Sequence, residues 1–231
     1  MIELTPEQLA ILNEKIIKSS KEEARKRVEE LDKKLDIVVD KLSKKGWTLP
    51  AEIGIYAVEK LAQTNELDDV NLFLKSYFIE EDYFHAKNMI EKIKNSSIRE
   101  GLKNLIEECW KAFRNDFYAV CGIALISAIE GILSEFSDNK NSVNMIKVCK
   151  KKVESFQEDE SPIQKHVWLS YNNFIKNLYQ YSDFTTGEPE NINRHWLLHG
   201  RSEFEINELD CIRLFNAIES LCMIVNIENK A

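Results

Sequence analysis

The sequence predicts an all-α protein built around a helical bundle, and three observations carry that expectation. Proline occurs only at positions 6, 50, 162 and 189, and the 231 residues hold just seven glycines, so long helices are permitted almost everywhere. Apolar residues recur at three- and four-residue spacing from Leu9 to Val225. Short polar stretches such as Asn95-Ser96-Ser97 and SDNKNS at 137–142 divide those periodic segments.

The first helix is expected to start at Thr5, whose hydroxyl can cap the first backbone donors, with Pro6 at the first helical position and Gln8 completing a capping box. Leu9, Leu12, Ile16 and Ile17 then make an apolar stripe. From Ser20 to Lys45 the apolar positions thin to Ala24, Val28, Leu31, Leu35, Val38, Val39 and Leu42, a narrow seam with charges on the other faces. A helix this polar needs a partner along its seam, either within its own protein, as an arm or hairpin, or in a dimerising coiled coil.

KKGWTLPAE, with Gly46 and Pro50, breaks the pattern and is the best boundary in the first half, where Trp47 can plug an adjacent helix pair. Helical periodicity resumes over Ile53–Gln63, Val70–Phe78, Tyr83–Ile93 and Ile98–Phe113. Phe117–Phe136 is the strongest helix, placing Tyr118, Cys121, Gly122, Leu125, Ile129, Ile132 and Leu133 on a face at the centre of the core. Gly122 and Gly131 each cost such a helix about 1 kcal/mol relative to alanine, which implies a close approach by another backbone. A segment through Val143, Ile146, Val153 and Phe156 comes next. After the loop QEDESP, Val167–Tyr181 reads as an aromatic-rich helix, and the last helix runs from about Asn207 to Ile227.

Composition bounds what such a bundle can do. With 44% apolar and 30% charged residues the chain can bury a substantial core without metal or disulfide. Five scattered cysteines with no CxxC spacing read as reduced core residues of a cytoplasmic protein and argue against a zinc site. The acidic N-terminus is unlike a signal peptide, and the longest uncharged run, Phe117–Ile129, is short for a membrane span, so no membrane partner is expected. A net charge of −8 argues against coating nucleic acid by bulk electrostatics, though not against a small RNA site with its own basic residues.

The residues that can carry chemistry cluster late in the chain. A polar connection, SDFTTGEPENIN, leads into Asn193-Arg194-His195-Trp196-Leu197-Leu198-His199-Gly200-Arg201, which holds two of the four histidines. Long loops of this kind often border functional sites. Histidine moves protons near neutral pH without a cofactor, and the planar arginine fork stays charged and fits phosphate oxygens. Five positions along an ideal helix put Arg194 and His199 about 140° apart, so they do not share a face unless His199 lies at a helix end, for which Gly200 is a natural terminator. A structural reading has Arg194 binding a carboxylate, Glu188, Glu190 or Glu130, and His199 bonding a carbonyl. His195 and His199, four apart, can also face the same way as a metal pair, but they lack the acidic residue and third ligand such a site needs.

Arg194, four intervening residues and His199, with the polar His195 directly after the arginine and Gly200 after the histidine, resemble the defining motif of the HEPN superfamily. Ile129-Glu130-Gly131 matches the Ile-Glu-Gly end of the helix that precedes the motif in many relatives. The resemblance covers about residues 80–231. It implies a HEPN-like helical domain over 81–231 behind an N-terminal helical region over 1–80, and a metal-independent endoribonuclease with RNA as substrate and no cofactor. It further implies a homodimer whose two motifs line one cleft, in microbial defence, toxin–antitoxin control or RNA processing, with a cognate antitoxin or regulatory protein as a possible partner. Arg194, His199 and His195 then form the catalytic set. Asn193 and Glu130 support it, Glu130 by orienting Arg194, while Asp116 and Tyr118 start the helix that packs nearby. Lys150, Lys151, Lys152 and Arg201 are candidates for holding an RNA backbone, although a solvated helix face is the plainer reading of the lysines. The rival readings are a non-catalytic HEPN-like module that binds nucleotide, RNA or protein, and a helical interaction protein that docks through the Ala24–Leu42 seam.

Overall fold

The computed structural model describes residues 6–64, 67–156, 162–185 and 187–228. The protein is all-α. Among the described residues nine α-helices and one 3-10 turn succeed each other without a strand: α1 Pro6–Lys44, α2 Ile55–Gln63, α3 Leu67–Lys94, α4 Glu100–Phe113, α5 Tyr118–Leu133 extended by the turn Ser134–Phe136, α6 Met145–Glu154, α7 Pro162–Leu178, α8 Arg194–Leu198 and α9 Glu208–Glu228. The expected Thr5–Gln8 cap and the Leu9–Ile17 stripe lie outside the described residues and side chains.

Helix α1 is 39 residues long, and its two ends live in different surroundings. Residues 18–30 are exposed along their whole length, Ala24 and Val28 included, and the seam becomes a packing surface only from Leu31 onward. Leu35, Val38, Val39 and Leu42 are then fully buried, against α7 and α2. The partner that the seam required is therefore found within the chain for its C-terminal third. Two further contacts fix α1 there: Lys41 Nζ donates to the carbonyls of Leu61 and Ala62 at the end of α2, and buried His166 of α7 meets Asp36 at 3.0 Å.

Gly46, at φ +71°, ends α1: its N–H bonds the Ser43 carbonyl and that of Trp47 bonds Leu42. The break after it does not separate two bodies. Trp47, Thr48, Leu49 and Pro50 are buried, and three of their backbone groups meet buried side chains from other helices. Leu49 N–H donates to Ser170 Oγ at 3.0 Å, Ser220 Oγ donates to the Leu49 carbonyl at 2.9 Å, and Asn216 Nδ2 donates to the Thr48 carbonyl at 3.0 Å. Trp47 inserts between α3 and α9, donating to Asn71 and stacking on Phe78, with the Arg213 guanidinium over its ring. A buried extended segment needs such partners, because an orphaned backbone group costs about 1–3 kcal/mol.

Helix α3 bends sharply where the sequence showed two periodic segments. Glu81, Asp82 and Tyr83 all have φ between +53° and +60°, a left-handed run that is costly for residues with a Cβ. Tyr83 holds the bend: its hydroxyl donates to Glu208 and its ring packs edge-on against Phe113. One contiguous apolar cluster runs from Leu35 through Phe78 to Ile224, so residues on both sides of position 80 share a single core.

Helix α5 passes through that core between α4 and α9. Cys121, Leu125, Ile129, Ile132 and Leu133 are fully buried, as the sequence indicated. The two glycines permit close approach by side chains rather than by backbone. A Cβ on Gly122 would stand 2.8 Å from Ile206 Cδ1, and one on Gly131 would stand 2.9 Å from Leu102 Cδ2. With its 3-10 extension the segment Tyr118–Phe136 is long and apolar enough to cross a membrane by length and composition, although 44% of it is buried inside the protein. All five cysteines are free and buried.

Candidate active site at the short helix 194–198

The polar connection after α7 returns to the bundle at Asn193, which is 1% exposed and organises the start of α8. Its side-chain oxygen accepts the N–H groups of His195 at 3.0 Å and Trp196 at 3.2 Å, capping the helix, while its Nδ2 donates to the Gln180 carbonyl at 2.8 Å. One side chain thus starts α8 and ties it to the end of α7. At the other end His199 leaves helical geometry at φ −90°, ψ 3°, and Gly200 turns left-handed at φ +62°. The Gly200 N–H bonds Leu197 and the Arg201 N–H bonds Trp196, which is the glycine-terminated stop expected here. Trp196 and Leu197 anchor α8 in the bundle, leaving Leu198, His199 and Gly200 on the surface.

Arg194 and His199 take different neighbours. Arg194 turns toward α5, where its Nε donates to Glu130 Oε1 at 2.8 Å and its guanidinium lies over the Tyr179 ring at 5.7 Å. The Tyr179 hydroxyl donates to that same carboxylate oxygen, and burial first, then this hydrogen bond and the Glu130 charge, push the phenol's pKa well up, so Tyr179 stays a proton donor. Of the three carboxylates proposed for Arg194, Glu130 is the partner; Glu188 instead accepts from Ser202 and from the Glu203 N–H. The pair is partly exposed, at 33% for Arg194 and 25% for Glu130, so it fixes orientation more than it stabilises the fold. With Nε engaged, the terminal nitrogens of the fork are the atoms that would meet a phosphate.

His199 belongs to an aromatic group on the other side of α8. Its ring meets that of His195 edge-on at 4.6 Å between centroids, His195 stacks on Phe184 at 4.7 Å, and Phe184 approaches His199 at 6.2 Å. Arg201 places its guanidinium over Phe184 at 4.2 Å. The two histidines do face the same way, but among the described residues no group of three or more His, Cys, Asp or Glu is placed to hold a metal ion.

The structure therefore brings Asn193, Arg194, Glu130, His195, His199 and Arg201 around one short helix. The lysines of α6 have carboxylate partners of their own: Lys150 pairs with Glu154, Lys151 with Asp138, and Lys152 with Glu228. Two members of the site are not apparent from sequence. Tyr179 reads there as one more core aromatic, and the only signal for Phe184 is that it is an aromatic within an otherwise polar connection. No family model, no curated protein and no solved structure matches this chain.

Proposed function

We propose that the protein is a metal-independent endoribonuclease of HEPN type, acting as a homodimer. The observation that supports this most is the arrangement of α8: a guanidinium held in place by Glu130 and Tyr179 at one end, and an exposed histidine released from the helix by Gly200 at the other. In this reading a 2′-hydroxyl attacks the adjacent phosphorus and the 5′-oxygen leaves. Arg194 and His199 of one copy have different neighbours, so the pair meeting one phosphate comes from two copies: His199 moves the proton from the 2′-hydroxyl to the leaving 5′-oxygen, and Arg194 of the other copy stabilises the charge that develops on the phosphoryl oxygens. His195 orients His199 through their ring contact. The product is a 2′,3′-cyclic phosphate, and single-stranded or looped RNA suits the in-line geometry. Microbial defence, toxin–antitoxin control or RNA processing is the setting that the motif resemblance suggests, with an antitoxin or regulatory protein as partner.

The Glu130–Arg194 ion pair favours one alternative, a non-catalytic module in which Arg194 serves binding or packing alone. Transition-state roles separate the two. Replacing His199 with alanine is expected to slow cleavage of single-stranded RNA by about 10²- to 10⁴-fold while changing RNA affinity little. Cleavage is expected to persist in EDTA. Wild-type protein that binds RNA without cutting it, or a His199→Ala variant that cuts at the wild-type rate, overturns the nuclease reading in favour of the module. Activity lost on chelation and restored by zinc would assign the chemistry to a His195/His199 metal pair instead.

A further inference from the structure

Helices α2 and α3 both rest on α1, and between them they leave an open groove of about 840 Å³. The first half of α3 forms its long wall. From Asp69 to Glu80 that wall runs about 16 Å, room for about five residues of extended chain. The left-handed bend at Glu81–Tyr83 lies at one end, and just beyond it the His85 ring stacks on Tyr77, with 4.2 Å between centroids and 16° between planes.

Two properties of the lining point to one kind of occupant. The first is aromatic and apolar surface: Tyr56 of α2 is 76% exposed, Leu72 of α3 is 65% exposed, and Phe73 and Tyr77 line the groove with them. Lys60 already lies over the Phe73 ring at 5.4 Å, so a cation has a place on these rings. The second property is charge. Glu52, Asp69, Glu80 and Glu81 all line the groove and are exposed, against Lys60 as the only lysine or arginine of the lining. Neighbouring cations are engaged elsewhere: Lys92 is shared between Glu52 and Glu219, while Lys87 and Arg114 stand on Asp82. Among the described residues no ion pair reaches Asp69, Glu80 or Glu81.

Walls of this charge repel a phosphate backbone and attract a cation that can also stack. Guanidinium does both, because its planar face lies on aromatic rings and its fork fits a carboxylate. We propose that the groove between α2 and α3 binds an extended, arginine-bearing segment of a partner protein, with guanidinium groups on its rings and rim carboxylates and apolar side chains against Tyr56 and Leu72. A lone arginine side chain would fill only part of 840 Å³, whereas a short segment of chain uses the whole wall.

The groove shares no lining residue with α8, so it can be tested without RNA. A fluorescein-labelled short peptide of alternating arginine and leucine, titrated with the full chain at about 0.15 M salt and read by polarisation, is expected to bind with a micromolar Kd. Tyr56→Ala is expected to weaken binding about tenfold, as is Asp69→Asn combined with Glu81→Gln. Lys60→Met, which removes the groove's own cation, is expected to tighten it about threefold, a gain that loss of folding cannot produce. Glu23→Gln with Glu30→Gln, the same charge change on the projecting turns of α1, is expected to leave binding unchanged. No binding by wild type, wild-type affinity in Tyr56→Ala, weaker binding in Lys60→Met, or equal weakening by the α1 pair overturns the groove as a peptide site. Displacement of the peptide by an equal concentration of spermine would give the groove to a small polyamine, and displacement by single-stranded RNA would give it to nucleic acid. A chain that binds the peptide as expected and never cuts RNA keeps this site and loses the nuclease reading.

Discussion

Two breaks in this chain, Gly46–Pro50 and Ser182–Asn193, look alike as interruptions of helical periodicity and end up in opposite places. The first is drawn into the middle of the protein, where Trp47, Thr48 and Leu49 are each 1% exposed or less. The second stays at the surface and delivers the candidate site. The difference comes from what each break carries. Trp47 and Leu49 gain several kcal/mol from leaving water, enough to drag a backbone inward provided its polar groups find partners. Ser170, Asn216 and Ser220 are those partners. The later break has few apolar side chains to bury, and Asn193, the one buried polar residue among those described there, starts α8.

The comparison can be broken at either end. Trp47→Ala should do most damage, lowering the unfolding free energy by about 3–5 kcal/mol in a denaturant titration, because it empties a filled site and leaves Asn71 short of a donor. A loss below about 1 kcal/mol would mean that this segment is not part of the core. Asn216→Ala should cost less, about 1–3 kcal/mol, by stranding the Thr48 carbonyl. Asn193→Ala should cost about 1 kcal/mol as a lost cap and, under the proposed nuclease reading, reduce RNA cleavage disproportionately, since it frees the start of the helix that positions Arg194. Equal losses of stability and activity there would make Asn193 a plain structural residue.

The all-helical architecture was legible because periodicity and the scarcity of proline act locally, and the stop at Gly200 was legible because only glycine takes φ +62° without strain. The pairing of Arg194 with Glu130 was visible only as one of three choices, since a contact across a separation of 64 residues leaves no local signal. The fate of Trp47–Pro50 was hidden for a different reason. Its partners are single serines and an asparagine in the interiors of α7 and α9, and they look unremarkable until the helices are assembled. The lysines of α6 show the converse: a dense basic cluster in sequence is a set of separate ion pairs in space.

Helix α1 also sets the outline of the particle. Its 39 residues span about 58 Å, whereas a compact chain of this length has a radius of gyration of about 17 Å. Residues 18–30 are exposed on every side, and a helical stretch that short is marginal in water without packing to hold it. Friction and folding then part company: the molecule should drag like a rod fixed to a sphere, while its amide hydrogens exchange in two regimes, fast along the projecting turns and slow from Leu35 inward.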